Sequence, residues 1–160
     1  MPDSNRVVRY GWENLSQEEG TLSEALSAGD LLEAGGSDDF QTHSTDGGVV
    51  ERVMVAMDER GRGFTSGDGY DAGEFITAAV CNSGVGLHLN LAAGADLATA
   101  ANADISEDDR LVSAGDGTVR LFDGAGGDDP DDVVAHAEEA VDNSGANAGD
   151  DTPLAAEVIR

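Results

Sequence analysis

The stretch AGEFITAAVCNSGVGLHLNL, residues 72–91, decides the fold. Two apolar runs flank a short Asn-Ser-Gly break. The first, EFITAAV (74–80), is apolar on both faces, which predicts a central strand covered on two sides. The second, GVGLHLNLA (84–92), alternates: Val85, Leu87, Leu89 and Leu91 share one face, and His88 and Asn90 take the other. Strands at this spacing continue outward in both directions. RLVSAGDGTVRLF (110–122) reads as a hairpin whose Ala-Gly-Asp-Gly turn supplies residues suited to positive φ. PLAAEVI (153–159) predicts a closing strand, and VVERVMVAM (49–57) is β-branched and too short for a stable helix. Short strands punctuated by Gly and Asp predict a mainly β chain, a small barrel or sandwich.

The ends are less regular. Residues 1–48 differ in texture from 49–160, so an extended N-terminal arm followed by a β-rich domain is expected. Within the arm, TLSE (21–24) fits a capping box before a short helix, and AGGSDDFQTHSTDGG (34–48) reads as loop. DERGRGFTSGDGYDAG (58–73) reads as a long turn region. PDDVVAHAEEAV (130–141) places Val133, Val134, Ala137, Ala140 and Val141 at helical spacing, behind a Pro and Asp suited to a first turn. It also tolerates a strand reading.

Charge sets the environment. Asp plus Glu number 33 against 8 basic residues, all Arg, for a formal net charge of −25. In dilute buffer such a surface repels itself, and molar salt removes the penalty. This is the composition of a protein kept soluble in brine, which points to a haloarchaeal cell or its virus. Clustered basic residues are confined to Arg6/Arg9 and Arg60/Arg62, so no direct nucleic-acid partner is expected. No run of about 18 apolar residues predicts a spanning helix, and MPDSNRVVRYGW lacks a signal-peptide core, so no membrane partner is expected. A single cysteine excludes an internal disulfide and a cysteine-rich zinc site.

Candidate chemistry is sparse. His88 has no partner histidine at ligand spacing and reads as facing solvent or an interface. Cys81 reads as a small buried hydrophobe. HSTDGG (43–48) sets a hydroxyl between His43 and Asp46, but triads assemble from distant segments, so turn residues are the better reading. DGAGGDDPDD (123–132) has carboxylates enough for a cation without EF-hand spacing, and reads as a hydrated acidic loop. These readings predict no catalytic residues, no cofactor and no bound metal.

Residues 49–160 resemble the small head-decoration, or cement, proteins of tailed-virus capsids. The likeness runs through VMVAMDERGRGF, YDAGEFI, GVGLHLNLAAGADL, DRLVSAGDGTVRLF and HAEEAVDNSGANAGDDTPLAAEVI, in that order. The chain departs from the usual pattern at DISEDDRLV, where Glu-Asp-Asp replaces Gly-Asp. The resemblance implies a β-rich, often trimeric protein without catalytic residues. It implies a place on the virion's capsid surface, where the protein clamps neighbouring subunits of the major capsid protein. It also makes 133–141 a strand, the reading adopted here. Alternatives are another virion surface component, a turret or spike, and a cellular halophilic β-domain that binds or catalyses. For attachment to the shell, the expected residues are Arg6, Val7, Val8, Arg9, Tyr10 and Trp12. They concentrate two Arg, two β-branched residues, a Tyr and the only Trp in a locally positive segment.

Overall fold

The computed structural model describes residues 6–36, 39–58 and 69–160. Among them the structure is mainly β, with a few single turns of 3-10 helix and no longer helix. Strands β2 (Leu15–Leu22), β4 (Leu31–Ala34), β5 (Asp39–Thr42), β6 (Val53–Ala56) and β8 (Phe75–Cys81) close into a five-stranded barrel in the order β2-β5-β4-β6-β8. A two-residue ribbon, β3 (Leu26–Ser27) with β7 (Gly69–Tyr70), stands beside it. EFITAAV is central as expected: β8 pairs with β2 on one edge and β6 on the other, and Ile76, Ala78, Ala79 and Cys81, drawn from both faces, are buried.

The remaining strands are β9 (Gly86–Leu91), β10 (Asp104–Ile105), β11 (Arg110–Ser113), β12 (Val119–Leu121), β13 (Ala135–Ala137), β14 (Val141–Asp142) and β15 (Thr152–Val158). They form a sheet in which β9 also pairs with β15, so that β9-β12-β11-β13-β15 makes a second ring. The second ring repeats the first strand for strand. In each, the first strand runs parallel to the fourth in sequence, every other pairing is antiparallel, and a ribbon (β3–β7, then β10–β14) joins the second strand to the sixth. The registers repeat as well. Leu22 opposite Phe40 corresponds to Leu91 opposite Val119, and Phe40–Ala34 to Val119–Ser113. Leu32–Met54 corresponds to Leu111–Ala135, Met54–Val80 to Ala135–Val158, and Gly20–Ile76 to Leu89–Leu154. Residues 15–81 and 86–158 are two copies of one barrel.

A fifteenth strand, β1 (Val8–Tyr10), precedes the first barrel in sequence but pairs with β9 of the second, Val8 opposite Leu87. Val7 and Val8 are fully buried there. The two barrels also share one apolar core, in which Leu31 and Val55 pack in the same cluster as Leu87 and Val158.

Several local expectations give way to this tertiary pattern. The boundary expected at residues 48/49 falls inside the first barrel, between β5 and β6, so β2, β4 and β5 are barrel wall and not part of an arm. TLSE caps no helix: Thr21 and Leu22 end β2, and the Glu24 carboxylate accepts hydrogen bonds from the backbone and hydroxyl of Thr42. The loop expected at 34–48 contains β5. Residues 133–141 form a strand at 135–137, as adopted, because β13 is held between β11 and β15, and the Pro130–Asp132 turn supplies the first-turn signal. Most of the 58–73 turn region, residues 59–68, lies outside the described residues. The hairpin at 110–122 and the final strand stand as read, with Gly115 at φ 87° and Gly117 at φ 90° in the turn.

Candidate functional site

The attachment residues expected from the sequence, Arg6 to Trp12, divide into a buried half and an exposed half. Val7 and Val8 are buried in the shared apolar core and cannot contact a partner, which corrects their assignment: consecutive strand residues face opposite ways, so this strand is covered on both faces. Val7 donates its backbone N–H to Asp58 and gives its carbonyl to the N–H of His88, 2.7 Å away. The Arg6 carbonyl accepts from His88 Nδ1 at 2.5 Å, which fixes that ring nitrogen as the protonated one. Tyr10, Trp12 and the side chain of Arg9 face outward. The Arg9 guanidinium pairs with Glu138, so its charge is neutralised within the protein. The Tyr10 hydroxyl lies 2.5 Å from Glu138 and 2.8 Å from Glu157, one proton serving two carboxylates. Burial and then those two acceptors push its pKa well above the ordinary phenol value. The locally positive arm of the sequence is therefore an electrically balanced strand.

Exposed apolar side chains remain near its end. Gly11 (φ 79°) turns the chain directly against the carbonyl of Gly84, where any Cβ would clash. Gly84 in turn donates to the Val158 carbonyl at 2.9 Å. This brings Trp12, 47% exposed, and Ile159, 38% exposed, to either side of the Gly84 turn, with Tyr10 at 36% adjoining.

Between the barrels runs a polar seam. Asn90 Nδ2 donates to Asp30 Oδ1 at 2.7 Å and to the Ala28 carbonyl at 3.1 Å. Burial raises the Asp30 pKa to about 6, against the lowering effect of hydrogen bonds from Asn90 and the Ser27 N–H. Arg120 grips Asp128 with both terminal nitrogens, 2.7 and 2.8 Å, and reaches Asp46 of the first barrel with Nε at 2.7 Å. One carboxylate of the loop at 123–132, that of Asp128, thus takes its cation from the same chain, the buried Arg120. Among the described residues no three His, Cys, Asp or Glu side chains converge as metal ligands would.

The sequence reads His88 as facing solvent or an interface, with Asn90 on the same face of the strand. Both are buried, because the loop at 28–30 of the first barrel covers the face they occupy. His43 meets a serine, though not the one beside it in sequence: Nδ1 lies 2.8 Å from Ser113 Oγ, and Nε2 3.0 Å from the Val49 carbonyl. A carbonyl only accepts, so Nε2 carries the proton and Nδ1 accepts from Ser113. Ser113 is completely buried and also accepts from the Gly115 N–H, so the pair is a structural tie across the seam. Cys81 is buried as expected, and burial pushes its thiol up to about 12. The seam partners Asp30, Asn90, Arg120 and Ser113 carried no local sequence signal beyond being polar within or beside apolar strands.

The fold class these observations define is a tandem of two small closed β-barrels with repeated topology and a shared core. No protein-family model matches the chain, and a comparison with curated proteins finds no match. Among solved structures, the chain is similar to the head fiber gp8.5 N base of bacteriophage phi29, with a TM-score of 0.54 and 15% identity, covering 90% of this chain and 93% of that one. At that identity the likeness is one of fold, and it extends over both barrels.

Proposed function

We propose that this chain is a structural protein of a virion, displayed on the capsid of a tailed virus that lives in high salt, where it binds and steadies neighbouring subunits of the major capsid protein. The observation that carries this reading is the match of the whole tandem-barrel arrangement to a phage head-fibre base, together with a charge of −25 suited to brine. The attachment surface in this proposal is formed by Tyr10, Trp12 and Ile159. It replaces the basic arm, since two acidic surfaces meet best through apolar contact once salt screens their repulsion. Threefold self-association belongs to the same proposal, following the resemblance to cement proteins. Virus particles purified in molar salt test it: mass spectrometry should find the protein at a fixed ratio to the shell subunit, and its absence from intact particles would end the proposal.

A second reading follows from the same neighbour, whose described part is a fibre base. Here the chain anchors a projecting structure instead of cementing the shell. Electron cryo-microscopy of the particles separates the two, showing either a low boss seated across subunit boundaries or the foot of a longer projection.

A further inference from the structure

The internal repeat matches a filled strand-docking edge on the second barrel to an edge of the first that is empty among the described residues. In the second barrel Val158 donates to the Val85 carbonyl, so the odd-numbered residues of β9 bond β15 and the N–H groups of His88 and Asn90 point the other way. Those two donors are taken by the carbonyls of Val7 at 2.7 Å and Gly29 at 3.3 Å. In the first barrel Leu22 donates to Glu74 and Asn14 accepts from Asn82, so the even-numbered residues of β2 bond β8 and the N–H groups of Gln17 and Glu19 point outward. With Leu22 set on Leu91, Gln17 stands where Gly86 stands and Glu19 where His88 stands. β5 reaches β2 only at Thr21 and Leu22, and no described residue accepts from the backbone of Gln17 or Glu19. Both residues are exposed. An unpaired edge of this kind is a template for an added strand.

We propose that the outer edge of β2, Leu15–Glu19, receives an extended, basic segment of another protein, which pairs with it as β1 pairs with β9. The chain's own β1 is not the occupant, because Val7 and Val8 are already buried in the second barrel. The repeat also states the chemistry. Where β9 sets Leu87 opposite Val8, the first barrel sets Glu18, whose carboxylate Arg52 already holds, and beside it on the other face the exposed Glu19, so a strand docking here meets the Glu19 carboxylate on an edge that carries no leucine. Arginine or lysine on the face of Glu19 satisfies it, while the main-chain bonds supply affinity without regard to sequence. This inference stands on the pairing geometry and holds whether or not the protein belongs to a virion.

A short blocked peptide alternating arginine with valine is the probe, titrated into the full chain in molar salt, where non-specific attraction to the −25 surface is screened. Binding is followed by fluorescence anisotropy and mapped by amide hydrogen exchange. The expected result is new protection at residues 15–19 and affinity at least tenfold weaker for Gln17→Pro. That substitution removes an outward N–H, which β8 does not use, so the barrel's own ladder is kept. The same peptide with its alternate amides N-methylated should not bind the unaltered protein, a control independent of any variant's folding. Absence of binding, undiminished binding to a folded Gln17→Pro variant, or protection at residues 86–90 through displacement of β1 would each overturn the assignment. So would self-association of the unaltered protein that Gln17→Pro abolishes, since the occupant would then be a second copy.

Discussion

Asn90 on β9 donates a hydrogen bond of 2.7 Å to Asp30, joining the second barrel to the first through a carboxylate that burial holds at a pKa of about 6. Because the folded-state pKa lies above the ordinary value of 3.8, the folded protein binds this proton more tightly than the unfolded chain does. The associated stability is complete below about pH 4 and is lost as pH rises through about 6, on the order of 3 kcal/mol in all. Asp30→Asn should abolish that part of the slope between pH 4 and 6, seen as the difference between variant and wild type in chemical denaturation. Its stability at pH 4 should be lower than wild type, since an amide offers one acceptor oxygen to the two donors Asn90 and Ser27. An unchanged slope would show that the group does not titrate in this window.

Arg120 should be the costliest seam residue to lose. Arg120→Met leaves Asp128 and Asp46 facing each other without a cation, with an expected loss of roughly 3 kcal/mol. Arg120→Lys should recover only part of it, because an ammonium cannot make the two parallel bonds to Asp128. Asp128 is held below the usual carboxylate range by its hydrogen bonds to Arg120, so the pair's contribution is present at neutral pH and falls away as acid protonates it. Equilibrium unfolding of both variants at pH 7 checks the order.

Deleting residues 1–12 should destabilise the second barrel and leave its seam between β9 and β12 uncovered. Two buried valines represent about 4 kcal/mol, which at this chain length is a fall in melting temperature on the order of 10 °C. Calorimetry in molar salt measures it. A truncated protein that melts like the whole would show that the segment behaves as the free arm its sequence suggests.

Cys81→Ala should cost about 1 kcal/mol, the loss of a small buried side chain. In the native protein the thiol, pushed up to about 12, should resist alkylation at pH 8 until the barrel is unfolded. Rapid labelling of folded protein would contradict its placement between β2 and β6.

Stability should rise with salt. At −25, self-repulsion is strongest at millimolar ionic strength, and circular dichroism should report loss of β signal there and recovery toward molar KCl. A signal indifferent to salt would mean that the acidic surface is not an adaptation to brine.

Strands were legible in the sequence wherever one chain segment carried its own instructions. The alternation of Leu87, Leu89 and Leu91, the glycines of the 114–117 turn and the β-branched run at 53–55 each specify extended backbone or reversal locally, whatever lies beside them. The polar strand LSQEEGTL was not legible, because β2 is a strand only through its pairing with β8, and its outward edge is wet. The same limit hid the duplication. Of the core positions that correspond between the barrels, Leu22 and Leu91, Leu32 and Leu111, and Ala78 and Ala156 are identical, but Gly20 answers to Leu89, Met54 to Ala135 and Phe40 to Val119. A ring needs its total volume filled, not any given side chain, so the copies could diverge while the register stayed.

By itself the sequence determined a mainly β, Gly-punctuated, extremely acidic chain, with a buried unreactive cysteine and a closing strand at its end. The tertiary structure alone decided that there are two barrels, that Val7 and Val8 cross from the first to seal the second, and that His88 and Asn90 are interior. Those outcomes depend on which surface covers a strand's second face and second edge. Both are supplied by segments distant in sequence, 82 residues away for His88 and Arg6, and local periodicity carries no information about them.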